Sequence, residues 1–465
     1  MIPSCSFLAL LSLLSHISST TITIPLPLSL TNTNQFPKTP SLDILQQLTH
    51  LASTSLTRAK HLKNPNASSL TTTTTTTTTP LFPQNYGAYT IPLSFGTPSQ
   101  TIQFIMDTGS SLVWFPCTHR YLCNKCDDNN NKTQTPVFIP KLSSSAKLIG
   151  CKNSKCGWIH DQFEGICDEC EPNFTNCSQI CPPYRIIYGS GSTGGILLSE
   201  TLNLEEKTTE NFVVGCSLFS SKTPNGIAGF GRRPPSLPSQ LGLTKFSYCL
   251  LSHRFDDATN SGSLVLRSDS GDAKLNGVNY THLLRNGFNT RNPAFENYYY
   301  IAIMKITVGV KHVKIPYSYL SRGSNGSGGT IVDSGATFTF MESRVFELVA
   351  REFEKQVASG YRRATDVETL TGLRLCYDIS AENGTVLLPK IGFHFKGGAE
   401  MVLPLENYFS FVGSGMGVAC MTVVTDVGGL SDGPSVILGN FQLQNYYVEY
   451  DLENERFGFR RQMCK

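Results

Sequence analysis

The feature that most constrains this chain is an internal repeat. The segment FIMDTGSS, Phe104 to Ser111, returns as TIVDSGAT, Thr330 to Thr337. Each copy runs from apolar residues into Asp, a hydroxyl residue and Gly. Each also has a downstream echo of two apolar residues and a glycine: Gly229 in IAGFG, 122 residues beyond Asp107, and Gly439 in VILGN, 106 beyond Asp333. Similar spacing implies two lobes of one architecture, each supplying one aspartate from a tight turn, with a single site between them. Length agrees, because 465 residues exceed what one hydrophobic core holds, a limit near ~250 to 300 residues.

Two carboxylates brought together have a definite chemistry. Amide hydrolysis without metal or covalent intermediate needs a base for water and an acid for the carbonyl oxygen, and a pair sharing one proton supplies both. Like charges a few Å apart do not both ionise cheaply, so the pair titrates as a unit. The surrounding residues suit that use: apolar residues anchor the strand, the hydroxyl bonds across to the opposite loop, and Gly109 and Gly335 permit the turn.

The rest of the chain fits a secreted all-β protein. Only 16% of residues are charged, and short apolar runs are bounded by turn residues. A net charge of +3 with no Lys/Arg block calls for neither nucleic acid nor an anionic membrane. Residues 1–20 read as a signal peptide: the apolar stretch Phe7 to Leu14 is too short to span a bilayer, although no Lys or Arg precedes it. No apolar tail follows Arg461, so no membrane anchor is expected. Seven N-x-S/T acceptors, at Asn66, Asn131, Asn173, Asn176, Asn279, Asn325 and Asn383, suit glycosylation in the secretory pathway.

Fifteen cysteines are present, and loss of Cys5 with the signal leaves an even number. Nine lie between Cys117 and Cys181. Cys123-x-x-Cys126 and Cys167-x-x-Cys170 would suggest zinc in a cytosolic protein, and secretion favours disulfides instead. The histidines show no paired metal-ligand spacing. No cofactor is implied.

Residues 21–80 are rich in Thr, Ser, Pro and Leu and end in the run Thr71 to Thr79. This composition reads as a pro-segment and linker too poor in apolar surface to order itself; a disordered stalk without inhibitory role is an equally simple alternative. Order is expected from about Tyr86, where a hairpin turns at Gly96-Thr97-Pro98. The boundaries that follow are an N-terminal lobe over 86–265, with a cysteine-rich insertion at 117–181, and a C-terminal lobe over 266–465. Two six- or seven-stranded lobes are expected. Helical spacing of Val345, Phe346, Val349 and Phe353 predicts a helix over Glu342 to Val357.

The constellation resembles the pepsin-like aspartic proteases over Tyr86 to Lys465. That resemblance implies an all-β, bilobal fold with few short helices, and Asp107 and Asp333 as the catalytic pair. It makes Thr108 and Ser334 the hydroxyls that lock the two loops, with Ser110 donating to Asp107. In YGSGSTGG, Tyr188 resembles the tyrosine at the tip of the substrate-covering hairpin, with Gly189, Ser190 and Gly191 beside it and Trp114 as its partner. Gly229 and Gly439 resemble the glycines that thread beneath each loop. The cysteine-rich insertion, GFGRRPPSLPSQLG and FSYCL resemble the nepenthesin-type plant members, which implies Cys249 bonded to Cys464 and Cys376 to Cys420. Where many relatives carry Ser or Thr, this chain has Ala336, so Asp333 lacks a donor unless Thr337 turns inward. Ala336→Thr is then expected to move the pH dependence.

These readings imply a monomeric zymogen of an endopeptidase acting on polypeptides, in the apoplast or cell wall, with the vacuole also compatible. The rival reading is a catalytically inactive binding protein of this fold, such as an inhibitor of a glycosidase (xylanase). Two motifs are decoys. Asp269-Ser270-Gly271 follows no apolar strand, and Gly429-Leu430-Ser431-Asp432-Gly433 meets the G-x-S-x-G pattern but is followed by Pro434 and a strand, not a helix.

Overall fold

The computed structural model describes residues 21–27, 44–63, 87–124, 126, 136–160, 179–189, 191–204, 207–222, 225–252, 261–268, 271–285, 293–324, 326–357, 360–380, 386–412, 417–426 and 433–464. Strands dominate, in two large sheets and two of four strands. In the N-terminal lobe a nine-stranded sheet centres on the hairpin of Thr90–Phe95 and Gln100–Asp107. The sequence predicts this hairpin, with its turn at Gly96. Beside it runs Gly226–Gly229, parallel to Gln100–Asp107 with Gly229 opposite Asp107.

The second lobe repeats this unit. Val436–Leu438 runs parallel to Thr330–Val332, which leads into Asp333, and antiparallel to Thr339–Met341. Its sheet is larger than a six- or seven-stranded lobe, reaching eleven strands. The reason is that Lys245–Cys249 and Ser261–Arg267, placed in or at the edge of the first lobe by sequence, pair with one another, and Lys245–Cys249 pairs on its other side with Tyr446–Asp451 from the end of the chain. One sheet is thereby shared by both halves. The bridge Cys249–Cys464 closes the same junction, and Cys376–Cys420 joins paired strands of the second lobe. The helix expected over Glu342 to Val357 is Ser343–Val357, burying Val345, Phe346, Val349, Ala350, Phe353 and Val357. Among the described residues no helix is long and apolar enough to cross a membrane.

The cysteine cluster is cross-linked. Cys117 bonds Cys216, Cys123 bonds Cys126, and Cys156 bonds Cys181. Cys156, His160 and Cys181 come together as a metal site would require, but their two sulfurs are joined to each other. Cys167 and Cys170 lie outside the described residues.

The segment 21–80 departs from the sequence reading. It contains a strand, Thr21–Pro27, antiparallel to Ser261–Arg267, and a 20-residue helix, Ile44–Lys63, here called α1. Its buried residues are Gln47, Leu48, Leu51, Ala52, Ser55, Arg58, Ala59, Leu62 and Lys63, a stripe with helical period. Gln46, Ser53, Thr57 and Lys60 face solvent. The apolar part packs on the second lobe, against Phe338, Phe340, Leu373 and Val424 among others. Averaged over 60 residues of Thr and Pro the composition looks disordered, but 20 residues suffice for a helix once a partner surface buries its stripe. Lys60, His61 and Lys63 in the last turn also suit the helix dipole. Leu51 is fully buried, so Leu51→Ala is expected to weaken α1 docking by about 2–5 kcal/mol, read as at least tenfold faster hydrogen exchange over residues 44–63.

Candidate active site

The repeat places its two aspartates at the ends of Gln100–Asp107 and Thr330–Val332, where the lobes meet. Both are buried, at 1% and 0% exposure. Four hydrogen bonds stitch the two turns together. Thr108 N–H donates to Ser334 Oγ (3.0 Å), Ser334 N–H to Thr108 Oγ1 (2.9 Å), Thr108 Oγ1 to the Val332 carbonyl (3.2 Å) and Ser334 Oγ to the Met106 carbonyl (2.8 Å). Each hydroxyl both accepts and donates, which only Ser or Thr can do at this size.

Glycine is required for the approach. A Cβ on Gly109 would lie 2.6 Å from Asp333 Oδ1, and one on Gly335 would lie 2.5 Å from Asp107 Oδ1. Each turn therefore presents bare backbone to the opposite carboxylate. Below the turns, Phe230 N–H donates to the Asp107 carbonyl at 2.7 Å and Asn440 N–H to the Ala336 carbonyl at 2.8 Å. The segments carrying Gly229 and Gly439 thus run under their respective loops.

The two carboxylates are not equivalent. Asp107 accepts from Gly109 N–H at 2.9 Å and from Ser110 Oγ at 2.5 Å. Asp333 accepts from Gly335 N–H at 3.0 Å, and position 336 offers it only a methyl group. Thr337 does not turn inward: its hydroxyl lies 3.5 Å from the Gly87 carbonyl, which corrects its assignment as catalytic-loop support. Ser111 is also directed away, donating to Asn297 Oδ1 at 2.6 Å, so Asp107 has one supporting hydroxyl. Burial raises the pKa of Asp333 above the ordinary carboxylate range; the Arg58 charge opposes this and the Asp107 charge adds to it.

Tyr188 closes the site. The strands Tyr184–Ile187 and Ser192–Leu204 form a hairpin whose tip carries Tyr188, its N–H donating to the Gly191 carbonyl at 2.6 Å. Trp114 Nε1 donates to Tyr188 Oη at 2.9 Å. Ser190 lies outside the described residues, as do Asn66, Asn131, Asn173, Asn176, Asn325 and Asn383, whereas Asn279 is exposed at the start of a strand.

The residue that sequence reading missed is Arg58. From α1 its Nη2 donates to Asp107 Oδ1 at 2.6 Å and to Asp333 Oδ1 at 3.2 Å, and its Nε donates to Asp333 Oδ2 at 2.9 Å. One planar fork engages both carboxylates. Burial works against the guanidinium charge, but the two aspartates outweigh it and raise its pKa above the ordinary value. The hairpin tip rests on the same turn of helix, since a Cβ on Gly189 would lie 2.2 Å from Arg58 Cα. The signal was available: Arg58 falls on the apolar stripe of Leu51, Ser55 and Leu62, where an arginine without a buried acceptor would be costly.

Comparison with known proteins agrees with this geometry. Residues 89–266 match the family model described as xylanase inhibitor N-terminal, and residues 298–461 its C-terminal counterpart. A protein of Arabidopsis thaliana named a probable aspartyl protease is 33% identical over 416 residues, 81% of this chain and 82% of that one. Aspartic proteinase nepenthesin-1 of Nepenthes gracilis is 31% identical over 384 residues, 81% of this chain and 78% of its own. In structure, EDGP superposes with a TM-score of 0.61 at 21% identity, covering 81% of this chain and 92% of that one. Basic 7S globulin from soybean gives 0.58 at 18%, covering 81% and 94%. Two β-rich lobes with paired aspartate turns define a pepsin-like fold. The chain belongs to the plant pepsin-like aspartic protease family.

Ala336→Ser introduces a donor facing Asp333. A hydrogen bond to the ionised carboxylate lowers its pKa, by about one unit for a charge-assisted bond of about 1.5 kcal/mol. A carbon-detected titration of the Asp333 carboxyl group measures this directly, and no change would show that the missing hydroxyl is not the source of the asymmetry.

Proposed function

We propose that the chain is a secreted aspartic endopeptidase made as a precursor, whose carboxylate pair is blocked by Arg58 until α1 leaves. The observation that carries this reading is the guanidinium fork itself. Arg58 Nη2 stands between the Oδ1 atoms of Asp107 and Asp333, the position a water shared by both carboxylates would take. With α1 gone, one ionised carboxylate takes a proton from that water as its oxygen attacks the scissile carbonyl carbon. The protonated partner delivers its proton to the carbonyl oxygen. Collapse of the resulting diol breaks the C–N bond, with a proton passing to the leaving nitrogen. Ser110 and Gly109 both stabilise the ionised form of Asp107, whereas Asp333 has the raised pKa. The shared proton therefore resides preferentially on Asp333. An extended peptide would bind beneath the Tyr188 hairpin by backbone hydrogen bonds.

A second reading is favoured by the description of the matching family model, which names xylanase inhibitors. In that reading the fold is a binding protein and the cleft is vestigial. Support for the peptidase comes from the four hydrogen bonds between the two turns, the Trp114–Tyr188 contact and a basic side chain that covers the pair. Casein digestion at acid pH, with and without pepstatin, separates the two. Pepstatin-sensitive cleavage that Asp107→Asn reduces by at least a thousandfold is expected; a processed chain with no cleavage would favour the binding protein.

Acid is the expected trigger. His61, on α1, has its pKa lowered to about 4 by burial and by Arg58, with Asp107 opposing, and His50 is lowered by burial and by Lys222. Released, both histidines would return toward 6.5. The released state then binds more protons than the docked one between pH 6.5 and about 4, so docking is complete above this window and weakens as pH falls through it. Arg58 acts in the same direction, because it favours ionised Asp333 and its departure favours the protonated form. Hydrogen exchange over residues 44–63, corrected for intrinsic rates, is expected to show protection that is full near neutrality and declines toward pH 4. Protection unchanged across this window would exclude an acid trigger.

A further inference from the structure

Lys63, the last residue of α1, is fully buried, which lysine rarely is unless paired. Its Nζ donates to the Pro434 carbonyl at 3.0 Å, stands 3.6 Å from Glu342 Oε2 and lies 5.5 Å from the centre of the Phe340 ring. Glu342 is itself held in place. Ser435 Oγ donates to its Oε2 at 2.8 Å, and Glu342 N–H donates to the Ser435 carbonyl at 2.8 Å. The pocket offers a carboxylate, a carbonyl and an aromatic face, all of which favour a cation. Its walls belong to the second lobe, and only its occupant comes from α1.

The pocket is displaced along the sheet from the carboxylate pair: Glu342 N–H donates to the Ser435 carbonyl and Asp333 N–H to the Leu438 carbonyl, three residues apart, about 10 Å at ~3.3 Å per residue. Glu342 follows Thr339–Met341, which pairs with Val436–Leu438, which in turn pairs with the strand leading to Asp333. Lys63 is five residues beyond Arg58, about 7.5 Å along the helix axis at ~1.5 Å per residue. An extended peptide covers that distance in two to three residues at ~3.3 Å each. Between them, the Leu62 carbonyl accepts from Tyr298 Oη at 3.3 Å, so the helix is tied to the second lobe between the pair and the pocket. Removing α1 leaves Glu342 fixed by Ser435 beside the Pro434 carbonyl and the Phe340 ring, but without this cation. A second cationic side chain would restore the balance.

We infer that the Glu342 pocket is a subsite for a lysine or arginine side chain of the polypeptide substrate, filled in the precursor by the chain's own Lys63. The inference rests on the peptidase reading above. The test digests a peptide library with full-length chain allowed to process itself at acid pH, and reads the cleavage sites by mass spectrometry. At one position two or three residues from the scissile bond, Lys and Arg are expected to be enriched at least fivefold over Gln and Leu. For a matched pair of peptides with Lys or Gln there, Glu342→Gln is expected to bring the ratio of kcat/KM values from at least ten to about one. Against a third matched peptide with Glu there, Glu342→Lys is expected to favour Glu over Lys. Cleavage without basic enrichment by the wild-type chain overturns the subsite and leaves the peptidase reading intact, making Lys63 solely a latch of the precursor; this measurement needs no variant to fold. Enrichment that persists in a folded Glu342→Gln chain also overturns it. Absence of cleavage of every peptide overturns the peptidase reading, and the subsite with it.

Discussion

Two carboxylates of like charge, fully buried and brought within reach of one guanidinium nitrogen, are the arrangement around which this molecule is organised. Neither lobe alone produces it. Each contributes an apolar strand and a turn, and the turns approach closely only because Gly109 and Gly335 present bare backbone and because Thr108 and Ser334 exchange hydrogen bonds across the junction. The charge that accumulates there must be neutralised by a proton or a cation. In this structure the cation is Arg58, and the helix that carries it is part of the same construction.

Helix α1 is ordered by what it packs against. Its buried face meets a surface of the second lobe, and its polar anchors, Ser55 to the Phe338 N–H at 2.8 Å, Arg58 and Lys63, fall on that same face. Withdrawing it exposes two charged sites at once, the carboxylate pair and Glu342. Buried ion pairs lose much of their Coulombic gain to desolvation, so the docking is sensitive to anything that changes the charge at either end.

The asymmetry of the pair has a specific origin. At Asp107 the residue three positions on is Ser110, whose hydroxyl reaches the carboxylate; at Asp333 it is Ala336, packed in an apolar cluster. The next residue cannot compensate, because the turn directs Thr337 toward Gly87. Two copies of one motif therefore differ in the hydrogen-bond donors they offer their carboxylates.

Much of this was legible in the chain. The repeat around Asp107 and Asp333 determined that there would be two lobes and one paired site, because a strand, a hydroxyl residue and a glycine in that order serve such a turn and little else when repeated with a matched echo. The amphipathic spacing of Val345, Phe346, Val349 and Phe353 determined a helix for the same local reason. Tertiary structure alone decided what depends on distant partners. The strand Thr21–Pro27 and α1 lie in a stretch whose bulk composition suggests disorder, and they are ordered by surfaces hundreds of residues away in sequence. The direction of Thr337, the pairing of Arg58 with both carboxylates and the burial of Lys63 against Glu342 likewise follow from contacts between segments that no local pattern relates.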